Sequence, residues 1–454
     1  MMKKGVFNVL FFGAAALVSL AAAPLSAQES EVNLTLDQAL EIALSENLTV
    51  QVADMEVKKS GYARKGTYAA LFPQVNFSAD YQRTIKKQVM YMENQSFAVG
   101  RDNIWSTGFS LSMPLVSVQL WKSIQVTAVG VELAVEQARS SRQDLIEQVQ
   151  QAFYATLLAN DLYTVYKENY DNACMDYKDV KEKYENGTVA RYDLITAEVA
   201  MNNAAPAMYD AENNIILCKW RLKALMGIDL DTKINCLGSL VDYSATMKEL
   251  SMNEAISLEN NSSLKQLELQ QESLHKNYQM QLAAYYPSLN LSLSYMWTAM
   301  EDNFRFNKYK WNPYSVGGIS LVIPIFSGGQ RYNAVRQTRV QQEQLALQRE
   351  NTARELEISV RQSLSSMNTC VHQFSAAEKS IEGAETGYNI AQERYDVGSG
   401  TFLELQDSKL ALLQAKLNLN QSIYNYLVAK STLDKTLGVN DRGLTEKGNN
   451  NLNK

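Results

Sequence analysis

The segment Tyr395-Asp-Val-Gly398 decides the fold, because a weaker copy of it, Tyr184-Glu-Asn-Gly187, occurs in the first half of the chain. Three further pairs of segments agree at the same separation: Asp193-Leu194 with Glu404-Leu405, Leu222 with Leu433, and Met226-Gly227 with Leu437-Gly438. Landmarks that recur in the same order at a fixed spacing indicate a repeat architecture. The chain is therefore predicted to contain one structural unit twice.

The repeats extend upstream of these segments. Leu71-Phe-Pro-Gln-Val-Asn-Phe77 parallels Tyr285-Tyr-Pro-Ser-Leu-Asn-Leu291. Thr35 and Ser251 are N-cap candidates for helices that run toward Pro73 and Pro287. Each half reads helix, strand, loop, strand, long helix, turn and long helix. We predict a first repeat over residues 28–240, a second over 241–440 and a polar tail over 441–454.

Four segments alternate apolar and polar side chains, as expected for β-strands. They cover about residues 74–83 and 104–114 in the first repeat and about 288–298 and 315–324 in the second. In the first of them Val75, Phe77 and Tyr81 alternate with Asn76 and Ser78. A half-buried sheet in a soluble protein would show the same alternation as a sheet that spans a membrane. The pattern alone therefore does not distinguish a soluble sheet from a membrane sheet.

The first 27 residues are predicted to be a signal peptide. Lys3 and Lys4 precede an apolar stretch from Val6 to Ala23. Cleavage is expected after Ala27, which follows this stretch. No run of 18 apolar residues follows residue 28, so the mature chain is predicted to lack a spanning helix. Any membrane span is then expected to consist of strands.

Strand length, export and aromatic placement favour a membrane β-barrel over a soluble sheet. The aromatic residues near the outer strand ends are Tyr81, Tyr91, Trp105, Tyr295, Trp297, Tyr309, Trp311 and Tyr314. Four strands cannot close a barrel, and lipid does not tolerate an open sheet edge. Several chains must therefore contribute strands to one barrel. Two chains would give eight strands, and three chains would give twelve strands, a barrel wide enough for a channel.

Two stretches without proline, Val118–Glu185 and Gln330–Asp396, are rich in Ala, Leu, Gln, Glu and Arg and are predicted to be helices of roughly 100 Å. Turns at Gly187 and at Gly398 reverse the chain, so that each helix forms a hairpin, over 118–227 and over 330–438. Hairpins of this length must stand side by side as a tube or stalk. The fold class is therefore mainly α with a membrane β-barrel.

Composition excludes several functions. The net charge of −6 provides no basic surface for nucleic acid, and the two histidines, His275 and His372, lie far apart in sequence. No nucleophile–base pair or metal-ligand spacing is present, so we predict neither an enzyme nor a cofactor. The cysteines show no CxxC spacing; isolated thiols are favoured, with Cys218 and Cys236 as the one pair close in sequence.

The chain resembles the TolC family of outer-membrane efflux channels. The resemblance rests on Arg394-Tyr-Asp-Val-Gly-Ser-Gly-Thr-Phe-Leu-Glu-Leu-Gln-Asp-Ser408, on its weaker copy from Lys183 to Leu194, and on Pro324-Ile-Phe-Ser-Gly-Gly-Gln330. It implies a homotrimer, with a 12-stranded β-barrel in the outer membrane and a 12-helix α-barrel through the periplasm. A periplasmic adaptor protein and an inner-membrane pump would dock at the lower end, and outer-membrane lipid would surround the barrel.

The same resemblance implies a gate at the periplasmic helix turns. Glu404 and Asp407 match a ring of acidic residues that attracts cations, and Asp193 matches an acidic gate position in the first half. Glu404 and Asp407 would also suit the positive end of any helix. Gly400 replaces an arginine that locks the gate in some members, which puts that lock in doubt.

The remaining gate residues have open roles. Tyr184 and Tyr395 either hydrogen-bond within the gate or pack between helices, and Gly187 and Gly398 are turn residues.

The leading functional hypothesis is a passive exit duct for drugs or other small molecules. Type I protein secretion and metal-cation efflux are alternatives, and an exported coiled-coil scaffold or adhesin without a pore is an alternative of another class.

Overall fold

The computed structural model describes residues 32–92, 95–247 and 257–439. The predicted signal peptide, the N-cap candidate Ser251 and the predicted tail over 441–454 lie outside these residues. The helices are α1 (Leu36–Glu46), α2 (Leu48–Ala69), α3 (Val118–Glu185), α4 (Arg191–Met226), α5 (Ser262–Ala283), α6 (Gln330–Asp396) and α7 (Phe402–Leu437). The strands are β1 (Val32–Leu34), β2 (Gln74–Arg83), β3 (Gln88–Met92), β4 (Gln95–Val99), β5 (Asn103–Ser117), β6 (Ile234–Cys236), β7 (Ser288–Glu301) and β8 (Asn312–Val322). The prediction of a mainly helical chain with a few strands is confirmed.

Four strands form one antiparallel sheet in the order β2-β5-β7-β8, so β2 and β8 are its edges. Strands β5 and β7 are longer than predicted, because β5 continues to pair as far as Ser117 at its helix end and β7 as far as Glu301 at its outer end. Strand β8 begins earlier than predicted and ends at Val322, two residues before Pro324, which has no N–H to donate. A separate hairpin, β3–β4, occupies the segment that the sequence suggested was a loop.

The sheet has one apolar and one polar face. Phe77, Phe109 and Tyr295 are paired across three strands and therefore share a face with the other apolar residues of the alternation. The opposite face carries small polar residues: Asn76, Ser78, Ser110, Ser112, Asn290, Ser292 and Ser294. The apolar face is open in the single chain, with 62% of Phe77 and 67% of Ile319 exposed. An exposed apolar surface of this kind is typical of a site that contacts a membrane or another protein.

The long helices α3 and α6 begin and end at the residues that the sequence indicated. Helix α4 continues through Pro206, which removes one hydrogen bond without ending the helix. Helix α3 packs against α4 and α7, and α7 packs against α6, so the helices stand side by side in the order α4-α3-α7-α6. No described helix has both the length and the apolar character needed to span a bilayer.

The main hydrophobic core lies where both hairpins meet α1 and the parallel pair β1–β6. Phe153 and Leu157 of α3, Met226 of α4 and Ile423 of α7 are fully buried in it. This core lies between the sheet and the hairpin turns, and it joins the two halves of the chain. It fixes the two hairpins relative to each other at one end, while their turns extend away from it.

The segment after Thr35 is not the single helix that the sequence suggested. Thr35 caps α1 as expected, but Asn47 then takes an extended conformation and its side chain accepts a hydrogen bond from the Thr49 N–H (2.8 Å), which starts α2. The Asn47 amide also donates to the carbonyl of Leu225 (2.8 Å). An asparagine favours such breaks, because its side chain replaces the backbone partner of the next turn.

The second half repeats this joint. Asn261 caps α5, and its amide donates to the carbonyl of Thr436 (2.8 Å) near the end of α7. Gly227 and Gly438 end α4 and α7 in the left-handed conformation, with φ of 71° and 70°. In both halves the returning helix of the hairpin is thus tied to the start of the helix that leads into the sheet.

Candidate functional site

The candidate site is formed by the turns that close the two hairpins. Gly187 and Gly398 each have a φ of 76°, and the residue after each glycine donates its N–H to a carbonyl five residues back, Thr188 to Lys183 (2.9 Å) and Ser399 to Arg394 (2.8 Å). This is the hydrogen-bond pattern by which helices commonly end on a left-handed glycine. The two turns therefore have the same local geometry, although their sequences differ.

A small hydrophobic cluster holds the two turns together. Val180, Ala197, Phe402 and Leu405 are buried in it, one from each of α3 and α4 and two from α7. Tyr395 of α6 packs on the ring of Phe402, with 5.6 Å between the centroids. The hairpins thus contact each other near their turns as well as at the main core.

Tyr395 packs in this cluster. Its hydroxyl is buried and makes no hydrogen bond within the described part of the chain. The ammonium of Lys183 lies 4.6 Å from the ring centroid, and burial raises the pKa of the hydroxyl. Asp193 lies close enough to influence this hydroxyl electrostatically. Tyr184, its counterpart in the first half, is 38% exposed at the end of α3.

Glu404 has a structural role at the start of α7. The Thr401 hydroxyl accepts a hydrogen bond from the Glu404 N–H (3.2 Å), and the Glu404 carboxylate accepts from the Thr401 N–H (3.4 Å). This reciprocal pair is a capping box. The Glu404 side chain remains half exposed. Asp407, one turn further along, is also exposed, and Asp193 is half-buried in the first turn of α4.

Arg394 supplies a cation near the position of the missing arginine. Its guanidinium lies 3.6 Å from the Glu404 carboxylate and donates to the carbonyl of Ser399 (3.3 Å). A Cβ at Gly400 would lie 3.0 Å from the Cβ of Arg394 and 3.3 Å from the Glu404 carboxylate. Sequence reasoning missed this pair, although Arg394 lies within the motif, because the contact depends on the turn.

A second ion pair, which sequence reasoning also missed, joins the hairpins further from the turns. The ammonium of Lys409 on α7 lies 2.6 Å from the Asp176 carboxylate on α3, and the side-chain amide of Gln406 donates to the same carboxylate (3.1 Å). Only 13% of the Lys409 side chain and 17% of the Asp176 side chain are exposed. Lys409 also lies 5.7 Å from the ring centroid of Tyr388.

Metal-binding groups are absent from the described residues: no three His, Cys, Asp or Glu side chains there come together in a way that could hold an ion. The four cysteines are free thiols, with Cys236 and Cys370 buried and Cys174 and Cys218 half-buried. Burial raises the pKa of the Cys236 thiol to about 11, so the thiol stays protonated at neutral pH.

Comparison with known proteins agrees with this architecture. The family model described as "Outer membrane efflux protein" matches residues 39–228 and 255–439. Outer membrane protein TolC of Vibrio cholerae is 22% identical over 378 residues, which cover 82% of this chain and 83% of the relative. Alkaline protease secretion protein AprF of Pseudomonas aeruginosa is 23% identical over 424 residues, which cover 91% and 86%. The solved CmeC outer membrane channel of Campylobacter jejuni has a TM-score of 0.75 at 19% identity, covering 92% of this chain and 88% of that one.

An amphipathic four-stranded sheet that continues into two long helical hairpins defines a class of outer-membrane channel proteins. The family model matches most of both halves, and the chain belongs to the outer membrane efflux protein family. The resemblance to the TolC family is confirmed, and the protein is an outer-membrane efflux channel of that type. Membership of a family of channels also supports a role other than catalysis.

Proposed function

We propose that three copies of this chain form a passive exit duct for drugs or other small molecules across the outer membrane. The observation that carries the proposal is the sheet with an exposed apolar face, a polar face and two open edges, β2 and β8. Lipid would cover the apolar face, and the polar face would line the pore. Pairing β8 of one protomer with β2 of the next would remove every edge and give a 12-stranded β-barrel.

The helices would continue this barrel into the periplasm. In each protomer α4-α3-α7-α6 stand side by side, so three protomers would contribute a 12-helix α-barrel. The proposed repeats, residues 28–240 and 241–440, would each supply two strands and one hairpin. The hairpin turns would form the lower end, where a periplasmic adaptor protein and an inner-membrane pump would dock. The loops over 84–102 and 299–313 would face outside the cell.

Protein secretion is a second candidate, favoured by the name of the relative AprF, an alkaline protease secretion protein. Both candidates use the same duct and differ in cargo. Production of the chain in a strain without its own channel distinguishes them. Restored dye efflux with a small-molecule pump supports the first, and restored protease export with a secretion pump supports the second.

The duct itself is tested with purified protein. Light scattering in detergent is expected to give the mass of three chains, and insertion into a planar bilayer is expected to produce discrete conductance steps. A monomer would leave two sheet edges unpaired in lipid, which is strongly unfavourable. A stable monomer, or a trimer without conductance, would favour the exported scaffold or adhesin instead.

The proposed gate combines Glu404, Asp407 and Asp193 in a cation-attracting ring. Three protomers would place six carboxylates of Glu404 and Asp407 around one axis, with the Asp193 carboxylates nearby. Carboxylates that close together focus a negative potential on the pore. Arg394 offsets part of the Glu404 charge, so Asp407 would carry more of the effect. Tyr184, Gly187, Tyr395, Gly398 and Gly400 would shape the turns that hold the ring.

Replacement of the ring carboxylates tests this assignment. In the double variant Glu404→Gln and Asp407→Asn, the cation-to-anion permeability ratio is expected to fall severalfold, because the negative potential at the constriction is lost. Reversal potentials under a salt gradient measure the ratio. The control variant Glu378→Gln and Glu385→Gln removes two exposed carboxylates from α6 and should change it less. Unchanged selectivity in the ring variant would leave Glu404 with its capping role alone.

A further inference from the structure

The segment between β7 and β8 alternates aromatic and basic residues: Phe304-Arg-Phe-Asn-Lys-Tyr-Lys-Trp311. Its aromatic residues pack onto the sheet. The ring of Phe304 lies 5.9 Å from that of Tyr81, and the ring of Phe306 lies 4.9 Å from that of Trp105. Phe306 also contacts Tyr309, with 5.1 Å between centroids. The loop is therefore folded against β2 and β5 by its aromatic side chains.

The loop lies over the apolar face of the sheet. Tyr81 and Trp105 are stacked at 4.3 Å on the same face as Phe77 and Phe109, whose rings lie four residues further along the strands and are 5.1 Å apart. Tyr81 is two residues from the outer end of β2. The aromatic cluster thus marks the end of the apolar face on the side away from the helices, where a membrane-spanning sheet would meet the headgroups.

Four cations lie within two residues of members of this cluster in the chain: Arg83, Arg305, Lys308 and Lys310. All four are exposed, and none forms an ion pair with a described residue. Two other cations of the outer loops, Lys87 and Arg101, are paired. Lys87 and Arg101 bind the carboxylate of Asp302, and their hydrogen bonds hold the pKa of that carboxyl well below its usual range. Arg83, Arg305, Lys308 and Lys310 have no such carboxylate partner among the described residues, so they remain available to an anion from outside the chain.

We propose that Arg83, Arg305, Lys308 and Lys310 form a basic collar that binds the phosphate groups of a phosphorylated glycolipid in the outer leaflet. The proposal rests on the proposed function, because it requires the sheet to span the membrane. Aromatic side chains favour the boundary between acyl chains and headgroups, and cations just beyond that boundary attract lipid phosphates. Guanidinium groups can also bind phosphate through two parallel hydrogen bonds.

The test compares lipid A, a glycolipid with two phosphates, with the same lipid after removal of its phosphates. Purified trimers in nonionic detergent are titrated with each lipid and analysed by native mass spectrometry. We expect the trimer to bind lipid A at least tenfold more tightly, since each cation near an anionic surface contributes several-fold to affinity. This comparison uses the unaltered protein, so it does not depend on the folding of a variant.

The triple variant Arg305→Gln, Lys308→Gln and Lys310→Gln assigns the effect to the collar. We expect it to bind lipid A at least tenfold more weakly and to retain trimer mass and conductance, because the aromatic contacts are unchanged. The control variant Arg349→Gln, Lys178→Gln and Lys379→Gln removes three exposed cations from the long helices and should bind lipid A normally.

Three results would overturn the proposal: equal binding of the two lipids, undiminished binding by the triple variant, or competition by inorganic phosphate at concentrations near those of lipid A. The last result would mean that the site takes free phosphate rather than a lipid surface. Failure of the proposed function looks different, because unaltered protein would then lack trimer mass or conductance whatever lipid it binds.

Discussion

Replacement of Gly438 by alanine is expected to lower the free energy of unfolding by about 3 kcal/mol. This loss is the sum of an unfavourable backbone conformation and a steric clash. Gly438 ends α7 with a φ of 70°, a conformation that costs an L-residue about 1–2 kcal/mol. An added Cβ would also lie 2.3 Å from the carbonyl oxygen of Asn260, which is backbone and cannot rotate away. Relief of this contact would separate Thr436 from Asn261 and break their hydrogen bond.

Gly398→Ala is the matched control for this prediction. Gly398 has a φ of 76°, but a Cβ there would find open space within 4 Å. Its substitution should therefore cost only the backbone term of about 1–2 kcal/mol. Thermal unfolding of the purified protein, followed by circular dichroism at the helix band, measures both variants. Equal losses of stability would show that the close approach of α7 to the start of α5 is unimportant.

Replacement of Lys409 by methionine is expected to loosen the hairpin turns. The Asp176 carboxylate would keep Gln406 as a hydrogen-bond partner but would lose its cation in a site with little solvent. Loss of one partner from a fully buried ion pair costs about 3–5 kcal/mol. The residual exposure of both side chains reduces the expected cost here to about 2 kcal/mol. We expect a larger single-channel conductance, because α7 and α3 would separate more readily near the proposed gate.

Lys416→Met provides a control on the same two helices. Lys416 pairs with Glu168 at 3.1 Å, but 30% of its side chain and 56% of that of Glu168 are exposed. Exposed pairs contribute about 0–1 kcal/mol, so conductance should hardly change. In the double variant Asp176→Asn and Lys409→Met the unpaired charge is removed, and part of the effect should be recovered. Identical conductance of the Lys409 and Lys416 variants would exclude the pair from gating.

Several elements could be predicted from the sequence because their causes are local. The lack of proline and the abundance of helix-forming residues are enough to place α3 and α6. The two-residue alternation places β2, and the glycines at 187 and 398 place the turns. The hairpin β3–β4 was missed, since its strands of five residues are too short to give a clear period.

The candidate site was predictable in position but not in its contacts. The motif placed Glu404 at the start of a helix beside a glycine turn, where the structure has it. Its pairing with Arg394 depends on how the turn folds back, and the pairing of Asp176 with Lys409 depends on the packing of α3 against α7. Pairs of residues far apart in sequence leave no local pattern, so only a folded chain shows them.

By itself, the sequence determined the repeats, the long hairpins, the amphipathic strands and the resemblance to the efflux channels, because each depends on residues within a few turns or one strand of each other. The tertiary structure alone decided which side chains meet. It folded Phe304 and Phe306 onto Tyr81 and Trp105 and left Arg305 and its neighbouring cations exposed. It also brought Asn261 to the end of α7, because the path of the chain through the core, and not local preference, sets distances between remote residues.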